Sequence, residues 1–188
     1  MLARAVPLPL DMTPPAALER VALDASALLG ANRTSLSAAA ALDFYAGYWS
    51  PWIVGEFVRK RTEWIAERAA REGCNRAETR RRLRASRQRV NILIADLSHV
   101  LQSVDYPTAP SADLAWLADP DDWPIMQTAL AAPATVLVTD NSSDFPLGEI
   151  RNGVLLLGST PFLNRLYRQF PDAEAAIQEF LAGATKRP

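Results

Sequence analysis

Residues 137–145 read LVTDNSSDF. Val136-Leu137-Val138 is a short apolar run with β-branched ends, the pattern of a strand buried on both faces. Asp140, Asn141, Ser142, Ser143 and Asp144 follow it without a break. Turn chemistry explains such a cluster, because Asp, Asn and Ser side chains hydrogen-bond their own backbone. The stretch alone favours that reading; the other is a cation site, because open α/β sheets bind ligands beyond the carboxyl ends of their strands. The choice depends on whether carboxylates from other segments meet this one.

The chain of 188 residues is 49% hydrophobic and 22% charged, which suits one soluble α/β-sized domain with appendages. No apolar run approaches the ~18–20 residues of a membrane span. The start, MLARAVPLPLDMTPP, is too short in apolar residues and too broken by proline to read as a signal peptide. Cys74 is the only cysteine, which excludes an internal disulfide framework and fits a reducing cytoplasm. His99 is the only histidine, which excludes a multi-histidine zinc site. A metal in this protein is therefore held by oxygen, which favours magnesium or manganese.

A net charge of −1 conceals an uneven distribution. From Arg59 to Arg89 there are 12 Lys/Arg and four Glu, a local charge of +8, so the remainder carries −9. One part of the molecule is basic and another gathers acids.

Residues 1–17 are proline-rich and aperiodic and read as an extended arm. A first buried strand, VALD, ends at Asp24, and ASALLG reads as a loop after it. Ser35 or Ser37 caps a helix through SAAAALDFYA that Gly47 stops, with a strand at Tyr48-Trp49. Ser50 caps the next helix with Pro51 in its first turn, and Gly73 ends it. Asn75 and Glu78 form a capping-box pattern for a helix running to about Leu97. The two make a basic helical hairpin over about 52–97. A strand at His99–Val104, a turn at DYPTAP, a helix from Pro120-Asp121-Asp122, the strand VLV and the strand at Val154–Leu157 follow. A helix starts at Ser159 or Thr160, and a last one spans Asp172 to Leu181 and closes at Gly183. Apolar strands alternating with helices predict a central, mostly parallel sheet covered on both faces, a three-layer α/β/α sandwich. The phosphate-binding signatures G-x-G-x-x-G and G-x-x-x-x-G-K-[ST] are absent from the sequence, which removes the dinucleotide and P-loop classes.

Four separate segments offer an acid: Asp24 at the end of the first strand, Glu56 inside a helix, Asp122 at a helix start, and Asp144, with Asp140 four residues before it. Taken singly, each has an ordinary structural reading as a turn former, a helix-surface residue or a helix N-terminal acid. Taken together, they make an oxygen cage for one or two divalent ions that activate water and stabilise a leaving oxygen. Clustered carboxylates repel, so without metal at least one of them titrates high.

At these segments the chain resembles the PIN-domain nucleases, the family containing VapC-type toxins. The matching stretches are LDASALL, SPWIVGEFVR, DDWPIMQTAL, LVTDNSSDF and, in altered form, GVLLLGSTPFLNRL. They cover roughly residues 20–167. The resemblance implies a PIN-like domain over 18–170, with 171–188 as a C-terminal helix and tail. It implies a Mg²⁺- or Mn²⁺-dependent endoribonuclease with Asp24, Glu56, Asp122 and Asp144 as catalytic and metal-binding acids and Asp140 as a further ligand. Ser26, Thr139 and Asn141 match the family's supporting polar positions. The expected partners are an RNA substrate, an antitoxin and a second copy of the chain, in the cytoplasm and away from membranes. The competing expectation is a PIN-like scaffold that binds RNA or protein without cutting. A phosphatase with an aspartyl nucleophile fits less well, since Asp24 is followed by Ala-Ser and lacks the second Asp of such sites.

Arg59, Lys60, Arg61, Arg80, Arg81 and Arg84 on the hairpin are the candidate nucleic-acid contacts, because an acidic site alone repels phosphates. A solvated helix face and a surface for an acidic protein are the alternatives. The five tryptophans, at 49, 52, 64, 116 and 123, divide between core positions and base stacking.

Overall fold

The computed structural model describes residues 18–106 and 112–185. The expected N-terminal arm and most of the DYPTAP turn lie outside the described residues. Six strands form one sheet: β1 (Arg20–Leu23), β2 (Ala46–Trp49), β3 (Leu101–Ser103), β4 (Val136–Val138), β5 (Ile150–Arg151) and β6 (Val154–Leu157). Their order is β3-β2-β1-β4-β6-β5, parallel throughout except where β5 pairs antiparallel with β6. Seven helices accompany them: α1 (Ala25–Leu29), α2 (Arg33–Ala41), α3 (Pro51–Arg71), α4 (Arg76–Ser98), α5 (Trp123–Ala131), α6 (Ser159–Gln169) and α7 (Ala173–Thr185). α3 packs on α4 and α5, while α2 packs on α6 and α7. Two helix groups about one sheet are compatible with a three-layer sandwich.

Each central strand is apolar because both its faces are covered. Val21, Ala22 and Leu23 in β1 and Leu137 and Val138 in β4 are fully buried. The chain runs from β1 outward to β2 and β3, then returns to the other side of β1 as β4. Strand order therefore reverses between β1 and β4. At such a switch point the loops diverge and leave a crevice at the carboxyl ends. Leu23 pairs with Val138, and Asp24 N donates to Val138 O at 2.9 Å, so Asp24 and Thr139 open that crevice side by side.

The hairpin forms as its caps predict. Ser50 Oγ accepts from Ile53 N at the start of α3, and Asn75 Oδ1 accepts from Glu78 N at 3.0 Å at the start of α4. Gly73, at φ +67°, makes the left-handed turn between them. Among the described residues no helix is long and apolar enough to cross a membrane.

Four local expectations are corrected. ASALLG is not a loop, because Ala25–Leu29 forms a helical turn whose Ala25, Ala27 and Leu28 enter the core. Gly47 does not stop α2. It lies inside β2, where a Cβ would press on Leu101 and stand 3.2 Å from Tyr45 Cε2, and Asp43 at φ +57° makes the left-handed exit instead. α2 begins earlier than Ser35, at Arg33 with Asn32 as its N-cap residue. α7 runs through Gly183 to Thr185 rather than closing there. The sequence reading also missed β5, which enters a tight hairpin at Asn152-Gly153, with φ of +51° and +80°.

Candidate active site

Asp24 is fully buried at the end of β1. Its Oδ2 accepts from Ser26 Oγ and, at 2.7 Å, from Thr139 Oγ1. Those hydroxyls point their protons at Asp24 because backbone donors fill their acceptor sides. Asp140 N donates to Ser26 Oγ at 2.9 Å, and Asn141 N donates to Thr139 Oγ1 at 3.1 Å. The polar run after β4 thus fixes the Asp24 carboxylate through two hydroxyls. Oδ2 is fully engaged, whereas Oδ1 is buried without a hydrogen-bond partner.

Glu56 and Asp122 repeat that asymmetry. Glu56 Oε1 meets Lys60 Nζ at 2.8 Å, one helical turn along α3, and Arg59 Nη2 at 3.7 Å, while Oε2 is buried and unpartnered. Asp122 Oδ1 receives only a long contact of 3.5 Å from Asn141 Nδ2, and its Oδ2 is buried and unpartnered. Among the described residues these are the only carboxylate oxygens in that condition. A buried carboxylate oxygen without a donor is costly, so three of them on separate segments call for an outside partner.

The segments converge by identifiable contacts. Ser50 Oγ, which caps α3, is hydrogen-bonded to Thr128 Oγ1 at 2.8 Å, and both residues are fully buried. That bond ties the helix carrying Glu56 to the helix that follows Asp122. Asp119 Oδ1 accepts from Asp121 N at 2.9 Å, so Asp119 does the local capping and Asp122 is free to face inward. Burial, followed by the charges of Asp144, Asp119, Asp24 and Glu56, pushes the Asp122 carboxyl up to about 7. Burial is the first cause of that shift, and the neighbouring carboxylates add to it. Burial opposes the charge of Lys60, yet the hydrogen bond and charge of Glu56, with Asp24 and Asp122 adding, hold its ammonium above the usual lysine range.

Asp24, Glu56, Asp122 and Asp144 therefore share one neighbourhood. Asp144 Oδ2 accepts from Ser143 Oγ at 2.9 Å at its edge. Asp140, expected as a ligand, is engaged elsewhere: Oδ1 accepts from Ser159 N at 2.8 Å and Oδ2 from Ser159 Oγ at 2.9 Å, at the start of α6. Among the described residues no three His, Cys, Asp or Glu side chains are grouped so that they could hold a metal ion. The Lys60 ammonium stands beside the acids, on Glu56.

The basic residues divide. Arg61 and Arg81 line a groove between α3 and α4, together with Arg33, Arg68, Arg82 and Arg89. Arg80 and Arg84 are exposed outside that groove. Arg59 pairs with Glu63 at 3.0 Å, and Lys60 belongs to the acidic site. Trp49 is core, whereas Trp52 and Trp64 are exposed. Sequence reasoning missed Arg33, Trp64 as a partner of arginines, and the Ser50–Thr128 tie. Only the i, i+4 spacing of Glu56 and Lys60 was readable beforehand. No protein-family profile, curated protein or solved structure matches the chain. Its function is argued from its own residues.

Proposed function

We propose that the protein is a PIN-type, Mg²⁺- or Mn²⁺-dependent endoribonuclease. The observation that carries this reading is the trio of buried, unpartnered oxygens, Asp24 Oδ1, Glu56 Oε2 and Asp122 Oδ2, at a sheet switch point. An all-oxygen, all-carboxylate donor set suits a hard divalent cation, so the residues present fit the group. Asp24, Glu56 and Asp122 would hold the ion, with Asp144 at the rim orienting water. Such an ion supplies activation of water towards phosphorus and neutralisation of the leaving oxygen. Ser26 and Thr139 orient Asp24 through its Oδ2. Asp122 must lose its proton before it can serve as a ligand.

The same reading makes the chain the toxin of a toxin–antitoxin pair and a homodimer in the cytoplasm. An adjacent reading frame encoding a small neutralising protein supports the first part, and the mass in solution decides the second. The alternative, a PIN-like scaffold that binds RNA or protein without cutting, is favoured by one contact, the Lys60–Glu56 bond, which already supplies a cation to the acids. RNA cleavage with and without Mg²⁺ or Mn²⁺, comparing wild type with Asp24→Asn and Asp122→Asn, tests the enzyme reading. Metal-dependent cleavage lost in both variants supports it. Cleavage that survives both substitutions rejects it.

A further inference from the structure

The groove between α3 and α4 has a volume of about 740 Å³ and holds six arginines. Several are neutralised locally. Arg68 pairs with Glu72 at 2.8 Å, Arg81 with Glu78 at 2.9 Å, and Arg82 with both glutamates. Arg33, Arg61 and Arg89 have no carboxylate partner among the described residues. Arg33 and Arg61 are half-buried, and each feels the other's charge. Like charges held together without a counter-ion are an anion site awaiting its anion.

The groove also has a flat component. The Arg61 guanidinium lies over the Trp64 ring at 4.9 Å from its centroid, and that of Arg68 at 5.6 Å. Trp64 is 43% exposed. Cation–π contact orients a guanidinium without cancelling its charge, and the planar stack presents a surface on which a base can continue. A peptide carboxylate uses the charge alone, whereas a nucleotide uses charge and plane together.

The groove shares α3 with Glu56. Its lining residue Phe57 follows Glu56 on α3, and Arg61 follows Lys60. Across the groove Arg33 follows Asn32, whose Nδ2 donates to Ser159 Oγ at 2.9 Å, the same Ser159 that holds Asp140.

We propose that this groove binds single-stranded RNA, with Arg33 and Arg61 contacting phosphates and the Arg61–Trp64–Arg68 stack receiving a base. The proposal rests on the ribonuclease reading and places its substrate on the helix that carries Glu56.

The test is fluorescence anisotropy of a labelled, unstructured RNA of about 12 nucleotides, within the range of single-strand sites, titrated with full-length protein in EDTA at several salt concentrations. Replacing Arg33 and Arg61 by Gln weakens binding by about tenfold and lowers the salt slope by about 1.4, two single-strand phosphate contacts. Trp64→Ala weakens it by about fivefold or more at every salt concentration. Arg80→Gln with Arg84→Gln removes the same charge from the outer face and leaves affinity within about twofold. Should Arg33→Gln lower the melting temperature, Arg61→Gln alone carries the test, with a slope change of about 0.7. Equal losses in the groove and outer-face pairs overturn the proposal, as does wild-type binding by the groove pair. A polyglutamate peptide that displaces the RNA more effectively than unlabelled RNA also overturns it, in favour of an acidic protein partner. EDTA separates this result from the cleavage reading: absence of cleavage when Mg²⁺ or Mn²⁺ is supplied, with groove-dependent binding intact in EDTA, rejects the enzyme and not the groove.

Discussion

Replacing Thr139 with valine keeps the shape of a fully buried side chain and removes one oxygen. That oxygen donates to Asp24 Oδ2 at 2.7 Å and accepts from Asn141 N at 3.1 Å. The first bond has a charged acceptor and the second leaves a backbone donor without its partner, so their loss costs about 3 kcal/mol together. No water can replace the hydroxyl, since Asp24 is fully buried as well. For a chain of this size the melting temperature in EDTA falls by about 6–12 °C. Thr139→Ser restores the hydroxyl and deletes one methyl, for about 1 kcal/mol. Because Thr139 also orients a carboxylate proposed to hold the metal, the valine variant is expected to lose about 10–100-fold in Mn²⁺ affinity. Thermal melting of both variants, with and without Mn²⁺, measures each part. Equal destabilisation by Val and Ser, or unchanged Mn²⁺ affinity in Thr139→Val, refutes the reasoning.

Three further outcomes are expected. With its carboxyl pushed up to about 7, Asp122 binds its proton more tightly in the folded than in the unfolded chain. Its contribution to metal-free stability is therefore complete below the unfolded value of about 4 and is lost as pH rises to about 7, while Mn²⁺ affinity strengthens over the same interval. Urea melts and Mn²⁺ titrations between those limits show both trends. Lys60→Met removes the internal cation beside Glu56, so the metal-free protein melts lower and its rise on adding Mn²⁺ grows larger than in wild type, both read by thermal melting. Gly47→Ala drives a Cβ against Leu101 and Tyr45 and costs about 2 kcal/mol, seen as a lower urea midpoint with an unchanged slope.

The central sheet was readable because residues 21–23 of β1, together with β4 and β6, are continuous apolar runs, and those of β1 and β4 are buried on both faces. α3 and α4 were readable because their Ser50 and Asn75 caps are local chemistry. α1 and β5 were not, being five and two residues long, too short for any period to register. Gly47 misled because a helix exit and a close strand contact both select glycine, and only the packing of Leu101 and Tyr45 distinguishes them. At the site, Asp24, Glu56 and Asp122 were legible as acids but their unpartnered oxygens were not. Asp140 reads in the sequence only as a further ligand, and Ser159, distant in sequence, claims both its oxygens. Lys60 and Arg61 are neighbours in one basic run, yet helical rotation places the first on the acids and the second in the groove.

The central claim is that buried carboxylates from separate segments hold one divalent ion. Melting of the wild-type protein against Mn²⁺ in the absence of RNA tests it most directly. At a concentration about 100 times its dissociation constant the ion stabilises by about 2.7 kcal/mol, a rise of roughly 5–11 °C, which Asp24→Asn and Asp122→Asn abolish. A wild-type melting temperature that does not move with Mn²⁺, or variants that rise with it equally, contradicts the claim.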